Sequence, residues 1–299
     1  MIATKGRPEA LARTLASLAR CEPLPAEVVV VDGDERESAR AVVEAAAEPT
    51  DGRPRLPLEH VSSEPGLTRQ RNRGIDLASG DLVAFVDDDV AFEPNLFGAL
   101  VGAYADPSVV GATGKVREDE GRRFGNSRSR VRRLLAGRGA DGTMTRFGYP
   151  RRIQEADLAR DVEFMPGCLM TARRSAADVV RFDERLLGYG LAEDEDFSYR
   201  LSRVGRIRYL PDVEITHERT GGQASGTRRF NRDVVVNRAY LFRKNFRRTP
   251  LARLQFGMLV AVLIVHRAVN REWDGVRGLV EGSVEAWRSG RGEAWRSTG

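Results

Sequence analysis

Cysteine, histidine and lysine are scarce in this 299-residue chain, which has two cysteines, three histidines and only three lysines, Lys5, Lys115 and Lys244. Cys21 and Cys168 alone build neither a disulfide framework nor a zinc site of the CxxC kind, which points to a reducing, cytoplasmic compartment. The N-terminal segment MIATKGRPEA lacks the apolar core of a signal peptide. The longest uninterrupted apolar run, Phe256 to Val265, has ten residues. That is about half of what a spanning helix needs, so a simple transmembrane reading is disfavoured.

What is present describes a globular protein: 41% hydrophobic and 30% charged residues over a length that holds one large domain plus an appendage. The formal charge of +5 is unevenly spread. Residues 1–225 carry 33 basic and 37 acidic side chains, whereas residues 226–299 carry 15 and 6. The basicity belongs to the tail, and the division predicts a catalytic domain over 1–225 and a basic helical module over 226–299.

The first 116 residues alternate short β-branched runs with helical patterns. Strands are expected at Ile2–Thr4, Glu27–Val31, Leu58–Val61 and Asp81–Val86. Helices are expected after Pro8, with Leu11, Leu15 and Leu18 on one face, over Ala39–Ala47, and from Pro65-Gly66 to Leu77. This rhythm argues for an α/β fold with a mostly parallel sheet flanked by helices. Residues 117–155, rich in Gly and Arg, read as a mobile loop with one short helix. Order resumes at Val162–Arg173, followed by a helix from Ser175 and strands at IRYL and VEITH.

In such sheets ligands sit beyond the carboxyl ends of the strands, which selects Thr4, Asp32, Asp87 to Asp89 and His217. Three consecutive aspartates repel one another, and a divalent cation would relieve that penalty, with substrate phosphates completing its coordination. A solvated acidic turn before the next helix explains the same triplet. The second acidic cluster, Glu193 to Asp196, suits either a helix first turn or a general base placed for an acceptor hydroxyl.

Five segments in order resemble the inverting family 2 glycosyltransferases of the GT-A fold: TKGRP at Thr4–Pro8, VVVVDGD ending at Asp34, GLTRQRNRGIDLASGDLVAFVDDDV at Gly66–Val90, MPGCLMTARRSA at Met165–Ala176, and FDERLLGYGLAEDEDFSYRLSRVGRIRYLPDVEITH ending at His217. The resemblance covers roughly residues 1–220. It implies a GT-A fold, Rossmann-like, with a C-terminal helical extension.

It also implies a hexosyl- or deoxyhexosyltransferase that uses a nucleotide-diphosphate sugar and Mn²⁺ or Mg²⁺. By that resemblance Asp87 and Asp89 hold the metal with His217, Asp88 reaches the ribose, and Asp32, Thr4, Arg7, Arg71 and Asn72 line the nucleotide pocket. Gly167 belongs to the acceptor-side strand. Asp194 is the catalytic base, with Glu193 next in line. The acceptor hydroxyl would belong to a lipid-linked glycan or polysaccharide precursor, or to a natural product. Two departures stand out. Met1 lies only three residues before Thr4, so the first strand is shortened or the start lies upstream, and Gly33 stands where relatives often carry asparagine.

All three tryptophans, Trp273, Trp287 and Trp295, fall in the tail. Trp273, Val276, Leu279, Val280, Val284 and Trp287 recur at helical spacing, and Arg238, Arg243, Lys244, Arg247 and Arg248 precede the apolar stretch Leu251–Val265. This reads as an interfacial anchor at the inner face of the plasma membrane, the alternative being packing on the catalytic domain or in a homodimer. Two other functions fit less well. A nucleic-acid-binding protein using the Arg-rich loop and the tail lacks aromatic interleaving and has an acidic body. A sugar nucleotidyltransferase lacks its glycine-rich, lysine-bearing start.

Overall fold

The computed structural model describes residues 1–48, 55–118, 139–151, 153, 157–186, 190–218 and 227–289. Two compact units divide the chain: residues 1–123 with 152–220, and residues 124–151 with 221–299.

The first unit is a mixed sheet with helices on its faces. Its strands are β1 (Ile2–Thr4), β2 (Val28–Asp32), β3 (Leu58–Ser62), β4 (Leu82–Asp87), β5 (Val90–Phe92), β6 (Val109–Glu118), β7 (Arg160–Val162), β8 (Leu169–Arg173) and β9 (Arg206–His217). Their order is β3-β2-β1-β4-β8-β6-β9-β5, with β7 also on β9. The first four are parallel; β8 then runs antiparallel to β4 and β6, so the parallel pattern holds for the N-terminal half and gives way to a mixed one beyond it.

Local causes are visible. In β2, VVVVD is buried along its whole length, as a strand covered on both faces must be. Pro8 occupies the first turn of α1 (Pro8–Leu18), where its missing N–H costs nothing, and Leu11, Leu15 and Leu18 are buried on one face. Helices α2 (Arg40–Ala47), α3 (Leu67–Leu77), α4 (Leu96–Ala103), α5 (Arg174–Val180) and α6 (Glu193–Leu201) complete the unit. One apolar cluster gathers Leu11, Leu15, Val30, Val86 and Leu169, and in a second Phe182 stacks on Phe197 while Phe85 meets both rings edge-on.

IRYL and VEITH form one strand rather than two. Gly114 pairs with Leu210 and Lys115 with Glu214, so the residues around Pro211 are absorbed in an irregularity of β9 that leaves the strand continuous. The loop expected over 117–155 lies, for residues 119–138, 152, 154 and 155, outside the described residues. Within the second unit, residues 139–151 form a turn closed by a Met144–Pro150 bridge.

The other described elements of that unit are α7 (Arg228–Asn245), α8 (Pro250–Val269) and α9 (Trp273–Ser289). Thr227 and Thr249 cap α7 and α8 by accepting from the amides of Phe230 and Ala252. Close helix approach follows from small residues: a Cβ added at Gly278 would lie 2.1 Å from the Arg228 carbonyl oxygen, and one at Gly282 2.5 Å from that of Arg232.

The tryptophan-bearing face of the sequence reading divides in two. Leu279 is buried, whereas Trp273, Val280, Val284 and Trp287 are 45–60% exposed. Trp295 lies outside the described residues. Helix α8, at 20 residues with a window of mean hydropathy 1.5, is long and apolar enough to cross a membrane. Arg253 and Gln255 shorten its uninterrupted apolar run without ending the helix.

Candidate active site

The carboxyl ends of β1, β2 and β4 converge with the last residue of β9 and the first turn of α6. Asp88 and Asp89 form the turn between β4 and β5. Thr14 fixes that turn, its hydroxyl donating to the Asp88 carbonyl oxygen at 2.9 Å and accepting from the Val90 amide at 3.0 Å. The β5–β9 register sets Val90 opposite His217, which brings His217 Nε2 within 3.0 Å of Asp89 Oδ1.

The three aspartates have different surroundings. Asp88 turns inward, accepting from the Thr4 hydroxyl at 2.7 Å and from Arg7 Nη1 at 2.6 Å. Burial, helped by the charges of Asp89 and Asp87, pushes it up to about 6 against the opposing pull of Thr4 and Arg7. For Asp89 burial acts in the same upward sense, but His217 and Arg7, whose Nη2 lies 2.6 Å from Oδ2, outweigh it and bring the carboxyl down to about 2.

Asp87, half-buried, completes a group with Asp89 and His217 in which one ligand atom from each lies within 4.8 Å of the others. Two carboxylate oxygens and an imidazole nitrogen fit a divalent cation.

Arg71, 1% exposed, links this group to α6. Its Nη2 donates to Asp87 Oδ1 at 3.2 Å and to the Gly167 carbonyl at 2.9 Å, and its Nη1 to Glu193 Oε1 at 2.6 Å. Burial and the adjacent Asp194 charge push Glu193 upward while Arg71 pulls it back. The 2.6 Å contact is that of a charge-assisted pair, so Arg71 holds Glu193 in place.

Asp194 is half-buried. Its Oδ2 accepts from the Gly167 amide at 3.1 Å and its Oδ1 from the Glu195 amide at 2.8 Å. A Cβ at Gly167 would lie 3.2 Å from Glu193 Oε1 and 3.4 Å from Asp194 Oδ2, so the Glu193 side chain would have to give by a few tenths of an ångström. Just before α6, Ala192 adopts φ 71°, a left-handed conformation costly for a residue with a Cβ. The Cys168 thiol is buried and raised chiefly by burial, with the charges of Asp87, Asp194 and Asp89 acting in the same sense.

The structure therefore brings together Thr4, Arg7, Arg71, Asp87, Asp88, Asp89, Gly167, Glu193, Asp194 and His217. Two residues expected at the nucleotide are turned elsewhere. Asp32 is 0% exposed, its oxygens accepting from the amides of Asp34 and Ala39, so it closes the β2–α2 loop. Asn72 donates to the Phe182 carbonyl and to Glu184 and accepts from the Phe182 amide, which ties α3 to the loop after α5. Asp88 and Arg71, also expected there, are themselves buried and already paired, Asp88 with Thr4 and Arg7, and Arg71 with Glu193, Asp87 and the Gly167 carbonyl.

Two contributors escape sequence reasoning. One is Thr14. The other is Gln70, whose amide donates at 2.8 Å to the carbonyls of both Thr4 and Val31 and joins the ends of β1 and β2. Their only signal is a polar residue on an otherwise buried helix face.

The profile described as "Glycosyl transferase family 2" matches residues 1–181. Among curated proteins, "Uncharacterized protein MT1568" of Mycobacterium tuberculosis (strain CDC 1551 / Oshkosh) is 32% identical over 129 residues, 41% of this chain and 38% of that one. "Glucosyl-dolichyl phosphate glucuronosyltransferase" of Haloferax volcanii is 35% identical over 99 residues, 33% of this chain and 30% of that one. The matched stretches span only about a third of those relatives' length.

Among solved structures, "Mannosyltransferase PcManGT from Pyrobaculum calidifontis in complex with GDP-Man and Mn2+" superposes with a TM-score of 0.61 at 15% identity, covering 96% of this chain and 86% of that one. "S. aureus TarS 1-349 in complex with UDP-GlcNAc" gives 0.54 at 17% identity, covering 97% and 90%. Likeness at such identities is a likeness of fold, and the fold is GT-A.

Proposed function

The chain belongs to glycosyl transferase family 2, and on that premise we propose that it transfers a sugar from a nucleoside-diphosphate donor to an acceptor hydroxyl with inversion at the anomeric carbon. The observation that carries the reading is that the Asp87, Asp89 and His217 group and the half-buried carboxylate of Asp194 are joined through Arg71 and Gly167, Arg71 donating to Asp87 and to the Gly167 carbonyl and the Gly167 amide donating to Asp194. Solved structures of similar fold, one in complex with GDP-Man and Mn²⁺ and one with UDP-GlcNAc, support the donor class and the metal. The dolichyl phosphate in one relative's name, and "Succinoglycan biosynthesis protein ExoU" of Rhizobium meliloti, 33% identical over 101 residues, support a lipid-linked or polysaccharide acceptor.

In this reading Asp87, Asp89 and His217 hold a divalent cation, which when bound supplies positive charge to the departing diphosphate. Asp194 accepts the acceptor's proton as the new C–O bond forms and the bond from the anomeric carbon to the diphosphate breaks. Attack from the face opposite the leaving group inverts the centre. Arg71 and the Gly167 amide hold the base and the Asp87 carboxylate in one frame.

The test is a donor panel: UDP-, GDP- and dTDP-sugars with Mn²⁺, reading nucleoside diphosphate release with and without lipid-linked acceptors, and the anomeric configuration of the product by NMR. Release that requires Mn²⁺ and yields the inverted product is expected. Release unaffected by EDTA would remove the metal from the reading, and a retained configuration would remove Asp194 as a single-step base.

A further inference from the structure

Helix α8 is apolar on two opposite sides, and the second unit accounts for only one of them. Ala252 and Leu259 are buried, with Phe256 and Leu263 beside them, against Phe147 and Phe242. On the other side Leu251, Leu254, Met258, Val265 and Val269 are 49–76% exposed. Their spacing of three, four, seven and four residues places them on a single line along the helix. Only 11% of the helix's most apolar window is buried. A helix of a water-soluble bundle normally carries polar residues opposite its packed face.

The charge around this stripe has one sign. From Val234 to Arg271 the sequence holds eight arginines and lysines and no acid. Arg247, Arg248 and Arg253 are exposed at the amino end of α8, whose first turn contains no acidic residue. Cations there oppose the helix dipole, which favours anions at that end. Arg248 further presses the half-buried Arg243, already lowered chiefly by burial. Phosphate groups relieve both penalties at once, because the helix amino end and the guanidinium groups attract the same charge.

Helix α9 repeats the arrangement. Its glycine face packs on α7, and Trp273, Val280, Val284 and Trp287 form an exposed line on the reverse, with the aromatic type that favours the headgroup region.

We propose that α8 docks in the plane of an anionic lipid bilayer, its Leu251–Val269 stripe in the acyl boundary and Arg247, Arg248 and Arg253 among the phosphates. The in-plane orientation follows from what a spanning helix would have to release. Arg267 donates to Asn231 of α7 at 3.0 Å and pairs with Glu272, and Ala252 and Leu259 are packed within the unit. Such docking would hold the chain at the inner face of the plasma membrane.

Flotation of the full chain with vesicles tests this without reference to catalysis, so its failure and that of the transferase reading are distinguishable. The protein is expected to float with 3:1 POPC:POPG vesicles at low salt and not with POPC alone. Replacing Arg247, Arg248 and Arg253 by glutamine should weaken binding roughly 100-fold, at about fivefold per charge. Met258→Glu with Val265→Glu should abolish it while the circular-dichroism melt stays at the parent temperature. Protein left at the bottom of the POPG gradient overturns the proposal, as does flotation that survives the Met258→Glu/Val265→Glu change. Retention after alkaline carbonate would make α8 a span, and dimerisation without vesicles that this pair abolishes would make the stripe a subunit interface; either result overturns in-plane docking.

Discussion

The two units treat polarity in opposite ways. The first encloses charge: Arg71, Asp88, Asp89 and Glu193 are all buried, and each is tied to a partner of opposite sign or to a hydrogen-bond donor. Among its described residues the second encloses almost none of its charge, packs α9 on α7 through glycines, and leaves large apolar side chains outside. Buried ion pairs are weak contributors to net stability, and replacing them by apolar groups is often neutral. Their accumulation in the first unit is therefore best explained by the geometry they hold, and the apolar exterior of the second by something outside the chain.

The comparison is broken most severely at Asp194. If the buried charges of the first unit exist to hold a base in place, Asp194→Asn should lower turnover by roughly 10²- to 10⁴-fold, the range expected for losing general-base catalysis. Donor binding, read by calorimetry with the nucleoside diphosphate and Mn²⁺, should stay within a few-fold. Retained turnover would move the base to Glu193.

Arg71→Met is the next largest. It leaves Glu193 and Asp87 facing each other without their shared cation, and removal of one partner from a buried ionic group costs about 3–5 kcal/mol. Urea unfolding reads this directly. A loss below about 1 kcal/mol would mean that the pair is not the framework described, and that the two units differ less than their burial suggests.

In the second unit Gly278→Ala tests the glycine seam. The added methyl would sit 2.1 Å from the Arg228 carbonyl oxygen, a backbone atom that cannot rotate away. Forced separation of packed elements costs about 1–3 kcal/mol, opposed by the higher helix propensity of alanine, about 1 kcal/mol. A net loss of about 1 kcal/mol or more in the unfolding free energy is expected, whereas a gain would show that α7 and α9 are not held at glycine distance.

Much of this was legible in the sequence where the determinants are local. β1 to β4 and α1 to α3 follow from β-branched runs, Pro8, and the punctuation of Gly66 and Gly80. The order of β8, β6, β9 and β5 follows from contacts between distant residues, for which no run or turn gives a sign. The carboxylate group at the strand ends was legible because Asp87 and Asp89 lie two residues apart in one run of three aspartates and His217 ends a recognisable strand.

Orientation was not legible. Asp32 and Asn72 carry the side chains a nucleotide site would use, and only three-dimensional packing reveals that backbone amides and carbonyls have taken their hydrogen bonds. In the tail, the tryptophan spacing drew attention to one face of α9, while the complementary spacing of Gly275, Gly278 and Gly282, equally present, decides which face is packed.

The smallest effect concerns an ionised carboxylate that the first unit keeps near its surface. Glu27, just before β2, accepts from the amides of Ser79 and Gly80 at 2.7 and 3.0 Å and from the Ser79 hydroxyl at 3.0 Å, and so holds the turn that leads into β4. Burial raises its carboxyl, but the hydrogen bonds from Gly80 and Ser79 outweigh it and leave the group below its ordinary value of 4.5. A depressed carboxyl contributes stability that is present above the unfolded-state pKa and is lost as pH falls through the folded-state one. Glu27→Gln, which weakens the acceptor without changing its shape, should therefore cost about 1 kcal/mol at pH 7. Urea midpoints measured across pH should show the two proteins converging as the pH falls below about 4. A difference that stays constant with pH would mean that the shape of the turn, and not the charge of Glu27, is what the first unit uses there.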